Sequence, residues 1–389
     1  MVSRRARQVL RLPGVRSLIL GTILGRLAYG MLPVAVYLLL LRSTGQIGTA
    51  ASLTAAQGLV GAVLFPRKGR LVDRRGRPAL TLMGAAAFVL LVAAGLVSQQ
   101  RAGTPVVFVA LVLVALVSPP VTSTSRAAWG RILAAHDDLR DTAFALDSGL
   151  EEATFLAGPA LAGVAAAGLG TGPVLWVVAA LFGGAAALLV RLVRPASSMA
   201  PRSRSRLSSS THLIGALLGV DALAQGLVAA GIAAAATGLH SPTLYGVLLS
   251  LDGVGALLGV GLVAYLGRDL QGANRVRLLC LAGPILTVPL VFSHSVVPLL
   301  FSVALLGLPV AALAAALNAS VPKLEREDRW NEAFSWLVTL QNLAGAAGFA
   351  AGGLLASTLG QSGPVLVGIG VAAVGYGFLA PAVSRRLDR

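Results

Sequence analysis

Long apolar segments separated by short polar ones dominate this chain. Each approaches the length of about 20 residues that a helix needs to cross a bilayer. The predicted spans are residues 18–41, 47–65, 79–97, 106–122, 143–169, 174–193, 213–237, 244–266, 276–292, 296–317, 333–359 and 365–383. Prolines inside spans are expected to kink membrane helices rather than end them; they are Pro33, Pro119, Pro159, Pro284 and Pro309. The pattern predicts an all-α membrane protein with twelve transmembrane helices.

Composition supports this class and argues against several others. Hydrophobic residues make up 56% of the 389 positions and charged residues 12%, whereas soluble proteins average about 25% charged residues. The net charge of +16 does not indicate nucleic-acid binding, because the arginines lie in short connections without interleaved aromatic residues. A single cysteine, Cys280, excludes an internal disulfide, and the four histidines have no metal-ligand spacing. We therefore expect no metal and no cofactor.

The basic residues indicate the orientation of the chain. All of the 31 Lys and Arg residues except Arg26, Arg42 and Arg101 fall on one side of the predicted spans. The positive-inside rule then places both termini in the cytoplasm of a multi-pass protein of the plasma membrane or bacterial inner membrane. The basic start is followed by an apolar run to Leu41, too long for the core of a signal peptide, so an uncleaved first helix is expected.

The chain divides near its middle. A polar, Ser-rich and basic linker is predicted at residues 195–211, between a six-helix half at 1–194 and another at 212–389. Ala143-Phe144-Ala145 at the start of the fifth span is echoed by Ala333-Phe334-Ser335 at the start of the eleventh. A degenerate copy of the basic segment 67–77 appears at 267–275. These echoes predict two pseudo-symmetric six-helix bundles, an arrangement that places a substrate site between them.

The basic connection between the second and third spans carries a specific motif. The motif reads Gly69-x-Leu71-x-Asp73-Arg74-x-Gly76-Arg77, and the whole segment 67–78 is a short loop with six positive charges and two glycines that allow a tight turn. This spacing resembles the motif of the major facilitator superfamily, and the resemblance covers the whole chain. It implies that Asp73, held by Arg77, docks at the N-terminus of the eleventh helix near Asn331–Ala333 and gates the cytoplasmic side.

A weaker motif lies in the fifth span. Gly149, Gly158, Pro159 and Gly163 match a pattern of bacterial drug and metabolite exporters of this superfamily, while Thr154 and Ala162 replace two of its glycines. Close helix contact and a proline bend would explain the pattern physically. A well-packed, glycine-rich membrane helix is the alternative explanation.

Ionisable residues inside spans are the chemical evidence for function, since each costs roughly 2.5–3.5 kcal/mol at mid-bilayer on translocon scales. Arg26 and Asp221 occupy matching depths in the two halves, and we expect them to pair across the cavity. Substrate or proton handling and a structural ion pair both remain open for them. Asp252 serves either coupling or packing at the seam between the halves. Uncharged cavity groups are expected from Tyr29, Gln57, Gln225, Asn318 and Gln341.

Acidic residues also gather at the start of the fifth span. Asp147 and Glu151 are four residues apart and share a helix face, with Glu152 beside them. They form either a proton relay or an interfacial network with arginines such as Arg77, Arg126 or Arg140. Trp129 and Trp330 are interpreted as interfacial anchors. The fourth span lacks the early arginine often seen in proton-driven members of the superfamily.

These features predict a transporter rather than an enzyme. The expected activity is alternating-access export of a small molecule by a monomer in the lipid bilayer, with the proton as coupling ion, since no phosphate-binding loop of an ATPase is present. A metabolite importer or symporter is the alternative. A membrane-embedded enzyme is disfavoured because the spans carry no clustered catalytic residues, and no nucleic-acid partner is expected.

The charge asymmetry makes a testable prediction about topology. Reporter proteins fused after Arg389 or inserted in the linker 195–211 should both be cytoplasmic, whereas a reporter near Arg101 should be external. Accessibility of each reporter to a membrane-impermeant label measures this. An external signal from either of the first two positions would contradict the twelve-span topology.

Overall fold

The computed structural model describes residues 2–45, 47–99, 104–193, 207–239, 242–266 and 272–387. Most of the predicted linker, most of the degenerate loop at 267–275, and Arg101 lie outside these residues. The described part is helical and contains no strand. Its α-helices are α1 (Val2–Arg11), α2 (Val15–Thr44), α3 (Ile47–Arg75), α4 (Arg77–Gln99), α5 (Thr104–Val117), α6 (Val121–Ile132), α7 (Asp137–Leu169), α8 (Thr171–Leu189), α9 (Ser209–Gly238), α10 (Pro242–Leu266), α11 (Ala273–Val291), α12 (Val296–Leu324), α13 (Trp330–Leu359) and α14 (Ser362–Leu387).

Helices dominate because the bilayer offers the backbone no hydrogen-bond partners, so each span must satisfy its own amide and carbonyl groups. Ten helical segments in the described part are long and apolar enough to cross a membrane, and α10 contains a shorter apolar stretch, Val247–Val263. Together with α3, they correspond to the twelve predicted spans. The protein is therefore a multi-pass membrane protein, with the short helix α1 preceding the first span.

Two expectations about local structure were wrong. The basic segment is helical almost throughout, because α3 continues to Arg75 and only Gly76, at φ 63°, separates it from α4. Pro119 does not simply kink the fourth span. The span consists of α5 and α6 separated at Ser118-Pro119-Pro120, since proline lacks an amide hydrogen and clashes with the preceding turn. Pro33, Pro159, Pro284 and Pro309 do lie inside helices.

Most helix contacts lie within the two halves, and a narrower set forms the seam between them. In the N-terminal half α2 packs against α7 and α8, and in the C-terminal half α9 packs against α13 and α14. The seam consists of α3 and α6 against α13, and of α7 against α10 and α12. Phe144 and Phe334, from the echoed Ala-Phe sequences, stack across it with ring centroids 6.3 Å apart.

The seam is closed on the side of the molecule that holds the basic connections, which we call the basic side. A continuous core of both halves lies there, including Trp129, Phe144, Trp330 and Phe334. Exposed ion pairs also bridge the halves on this side, between Arg275 and Asp141 at 2.8 Å and between Lys323 and Asp137 at 3.6 Å.

Close backbone approach determines where glycine is required in these helices. A Cβ atom added to Gly226 of α9 would lie 2.2 Å from the carbonyl oxygen of Gly345 and 2.7 Å from the amide nitrogen of Phe349, both in α13. Small residues at such contacts let membrane helices pack closely. A Cβ atom added to Gly219, two turns earlier in α9, would have no other atom within 4 Å.

This contrast gives a prediction for stability. Gly226→Ala should destabilise the protein by about 1–3 kcal/mol, because a methyl group would push α9 away from α13. Gly219→Ala is the matched control on the same helix and should leave stability unchanged or raise it slightly. Thermal unfolding of the detergent-purified variants measures the difference. Equal melting temperatures for the two variants would refute the close-contact explanation.

Candidate functional site

A buried ion network lies in the N-terminal half, where α2, α6 and α7 meet. Arg26 donates to the backbone oxygen of Asp147 at 2.7 Å and to its Oδ2 at 2.8 Å. Arg126 donates to the same Oδ2 at 3.3 Å and also to Glu151. Two guanidinium groups and two carboxylates therefore neutralise each other.

The helix register creates this network. Asp147 and Glu151 are four residues apart on α7, so their carboxylates lie one turn apart on one face. Asp147 is 1% exposed and Arg126 is 2% exposed. Removing one partner of such a buried pair typically costs about 3–5 kcal/mol, because the other charge is left without compensation. The network is therefore a rigid structural element that connects three helices.

The network corrects two sequence-based interpretations. Trp129 is not an interfacial anchor, because it is 1% exposed and its indole N–H donates to Asp147 Oδ1 at 3.2 Å. Among the proposed arginine partners, Arg126 is confirmed, while Arg140 pairs with Asp137 and Arg77 donates to the Val193 carbonyl at 2.9 Å.

The predicted pair between Arg26 and Asp221 was wrong for this conformation. Arg26 is neutralised by Asp147 within its own half, while Asp221 on α9 accepts a hydrogen bond from Tyr376 on α14. Matching depth in sequence does not bring the two side chains together, because each half provides a nearer partner. Tyr376 was not foreseen, although a tyrosine within an otherwise apolar last span was the available signal.

Three carboxylates near the seam have no cationic partner among the ion pairs formed by described residues: Glu152 on α7, Asp221 on α9 and Asp252 on α10. The negative charges of Glu152 and Asp252, which belong to opposite halves, repel each other, and those of Asp252 and Asp221 do so within one half. One oxygen of Asp252 is buried without a hydrogen-bond partner. These carboxylates form the part of the site that can exchange a proton or a ligand.

The uncharged cavity candidates fall into different environments. The Tyr29 hydroxyl donates to the Pro119 carbonyl at 2.8 Å, and its ring meets Phe182 edge-on with centroids 4.9 Å apart, so it seals the break between α5 and α6. Asn318 is 1% exposed, and its side-chain Nδ2 donates to the Ala314 carbonyl at 2.8 Å, while its side-chain Oδ1 has no hydrogen-bond partner. Gln57 is buried, and Gln225 and Gln341 are half-buried.

The fifth-helix motif is partly explained by packing. A Cβ on Gly158 would lie 2.8 Å from the Gly30 Cα atom, so α7 and α2 touch there backbone to backbone. A Cβ on Gly149 would contact only Leu257 across the seam, at 3.5 Å, and a Cβ on Gly163 would have no atom within 4 Å. Close contact therefore requires Gly158 but not Gly163.

A latch closes the basic side. Asp73, at the end of α3, accepts hydrogen bonds at the first turn of α13: on Oδ1 from the Asn331 backbone amide at 3.2 Å and side-chain amide at 2.6 Å, and on Oδ2 from the Glu332 backbone amide at 2.7 Å. Helix starts leave amide groups without intrahelical partners, and a carboxylate also favours the positive end of the helix dipole. Asp73 thus caps a helix of the opposite half.

Neighbouring residues reinforce the latch. Arg70 donates to Glu332 Oε1 at 2.9 Å, and Arg329 donates to Glu332 Oε2 at 3.1 Å. A Cβ on Gly69 would lie 2.2 Å from the Ser335 hydroxyl and 2.4 Å from the Asn331 carbonyl, so glycine permits this approach. The docking position of Asp73 near Asn331–Ala333 is confirmed. The supporting residue is not Arg77 but the Arg70–Glu332 pair.

The rest of the motif has separate roles. Gly76 supplies the left-handed turn between α3 and α4, Leu71 packs against the core of the basic side, and Arg74 is exposed. Among the described residues, no group of three or more His, Cys, Asp or Glu side chains is arranged to hold a metal ion.

Comparisons with solved structures establish the fold. The chain superposes on a bacterial homologue of the iron transporter ferroportin in an outward-facing state (TM-score 0.77, 18% identity, 96% of this chain and 100% of that chain). It also superposes on the same kind of homologue with soaked iron (0.73, 18%, 95% and 98%) and on the human organic anion transporter MFSD10 (TETRAN) (0.73, 16%, 96% and 99%). No protein-family model and no curated protein sequence matches the chain. The chain has the major facilitator fold, as the basic motif implied.

The latch gives a conformational prediction. Asp73→Asn should raise the population open on the basic side by about tenfold, because the charge–dipole contribution to the cap is worth about 1–2 kcal/mol. Spin labels at Ala134→Cys and Asn274→Cys, one in each half on the basic side, report the distance distribution by pulsed electron resonance in a Cys280→Ser background.

The matched control is Asp141→Asn. It removes the same charge from an exposed pair that also bridges the halves, and exposed pairs contribute only about 0–1 kcal/mol. We expect a distribution close to that of the parent protein. If Asp73→Asn and Asp141→Asn give the same distribution, the carboxylate does not act as a latch.

Proposed function

We propose that the chain is a secondary active transporter that exports a small molecule by proton antiport, alternating between states open to opposite sides of the membrane. The observation that carries this proposal is the set of carboxylates without a cationic partner near the seam, which come from both halves of a chain with the major facilitator fold. Glu152 and Asp252 provide one acidic group from each half, and Asp221 on α9 adds a third in the same half as Asp252.

The closed latch supports alternating access. The halves are held together on the basic side by Asp73, by Arg70 with Glu332 and by the Phe144–Phe334 stack. These are hydrogen bonds and aromatic contacts between the two bundles, so rocking one bundle against the other can break them without disturbing the packing inside either bundle. We assign the basic side to the cytoplasm, so that the described state is closed to the cytoplasm.

The seam carboxylates support coupling to protons. Two like charges on opposite halves repel each other while the halves are in contact, and a proton on either carboxylate relieves the repulsion. A ligand shifts a conformational equilibrium only when its affinity differs between the two states. Because the distance between Glu152 and Asp252 changes when the halves rock, proton affinity differs between the states.

The charge of the site favours a cationic substrate. Asp147 and Glu151 already neutralise Arg26 and Arg126, so Glu152, Asp221 and Asp252 leave an excess of negative charge around the seam. A low-dielectric cleft lined by one sign of charge concentrates ligands of the opposite sign. The apolar lining of the spans adds a preference for amphiphilic molecules. The similar structures are those of an organic anion transporter and of a homologue of an iron transporter, whereas the acidic groups of this chain favour an organic cation.

Export is tested in inside-out membrane vesicles with the membrane potential clamped. With an acidic lumen, vesicles that contain the protein should accumulate ethidium, an amphiphilic cation, and should not accumulate carboxyfluorescein, an organic anion. The double variant Glu152→Gln/Asp252→Asn should lose accumulation down to the level of vesicles without the protein, because neither a proton nor a cation gains a charge partner at the seam.

Asp138→Asn is the matched control, since it removes an exposed carboxylate from the first turn of the same helix, α7. It should accumulate ethidium as the parent does. Accumulation by the double variant would exclude the carboxylates as the coupling site. Accumulation that requires an alkaline lumen would instead identify a symporter, the alternative transport mode.

A further inference from the structure

A second basic feature lies where α1 joins the first span, outside the seam and the latch. A cavity of about 300 Å³ opens there between Arg11 and Arg16 and is also lined by Leu10, Leu12 and Pro13. The two arginines and Leu10 are exposed, and neither arginine forms an ion pair with a described residue. The cavity therefore combines two available guanidinium groups with an apolar wall.

The position of α1 is fixed by burial of one face. Val9 is fully buried in the core of the basic side, and α1 packs against α7. Because Val9 points inward, Leu10 and Arg11 turn toward solvent or lipid, and Leu10 is 41% exposed. A short helix that is apolar on one face and basic on the other is suited to lie at a membrane surface.

The backbone adds hydrogen-bond donors to the same place. Gly14 has a φ of 84°, which turns the chain from α1 into α2, and no side chain caps the start of α2. The Val15 amide donates a hydrogen bond to the Leu12 carbonyl at 3.3 Å. Arg16 and Ser17 line the cavity and lie in the first turn of α2, where amide groups lack intrahelical partners and the helix dipole is positive.

We propose that this cavity binds the headgroup of an anionic membrane lipid, with Arg11 and Arg16 on the phosphate. The location at the basic end of the first span is the depth at which headgroups lie. Leu20, one turn into α2 from Arg16 on the same face, is 50% exposed and lies where an acyl chain would run. A free phosphate ion would use the arginines but not the apolar wall, so the lipid is the occupant that fits both.

Charge complementarity sets the expected strength. Basic residues near a membrane surface each contribute roughly fivefold to binding of anionic lipid. Removing both arginines should therefore weaken binding of phosphatidylglycerol by about tenfold to thirtyfold. The lipid would hold α1 and the start of α2 against the bundle, at the opposite end of α2 from the Thr44 terminus.

Lipid titration of the purified full-length protein, followed by native mass spectrometry, measures the binding of each lipid. The parent protein should retain dioleoyl phosphatidylglycerol in preference to dioleoyl phosphatidylcholine. Arg11→Gln/Arg16→Gln should lose the preference, and Arg11→Lys/Arg16→Lys should keep most of it, because lysine preserves the charge. Unchanged melting of the glutamine variant in detergent would exclude misfolding as the cause.

Arg385→Gln/Arg386→Gln is the matched control, because it removes two exposed charges from α14 on the same side. It should retain the preference for phosphatidylglycerol. An equal loss in both double variants would mean that binding reflects only overall charge and would overturn the site. Displacement of the lipid by millimolar inorganic phosphate would assign the cavity to a free anion instead.

Discussion

The pairing of buried arginines within the N-terminal half is the constraint on which the rest of the structure depends. In a low-dielectric interior, an arginine without a counter-charge is too costly to persist, whereas a carboxylate can take up a proton instead. Arg26 is therefore paired with Asp147 inside the N-terminal half, while Asp221 is hydrogen-bonded to Tyr376 inside the C-terminal half. The partners of Arg26 and of Asp221 each lie within a single half, so a movement of one half against the other leaves both contacts intact.

The contacts that join the halves are different in kind. Asp73 satisfies amide groups that every helix start leaves open, so losing the contact exposes backbone that water on the basic side can hydrate. Losing the Asp73 contact then costs about 1–2 kcal/mol, less than breaking the buried network would cost. Strong pairing inside the halves and weaker pairing between them is the energetic arrangement that rigid-body rocking requires.

The two proposals place charge at separate points with separate consequences. At the seam, the carboxylates of Glu152 and Asp252 come from opposite halves and repel each other electrostatically. Their protonation would therefore depend on the distance between the halves. At the start of α2, Arg11 and Arg16 face outward, where their partner must come from the membrane. The first arrangement changes during a transport cycle, whereas the second lies within one half and is unaffected by rocking.

The sequence by itself determined the class and the twelve spans, because apolar length and charge asymmetry are local properties. The docking of Asp73 was implied by the resemblance of its motif to the major facilitator superfamily. Because Asp147 and Glu151 share a helix face, the sequence also offered a network with Arg77, Arg126 or Arg140 as the alternative to a proton relay, and the structure selects Arg126. Only the tertiary structure decided which partner each buried charge takes. Arg26 pairs with Asp147 rather than Asp221 because the packing of α2 on α7 brings them together, and helix packing depends on contacts between residues far apart in the chain.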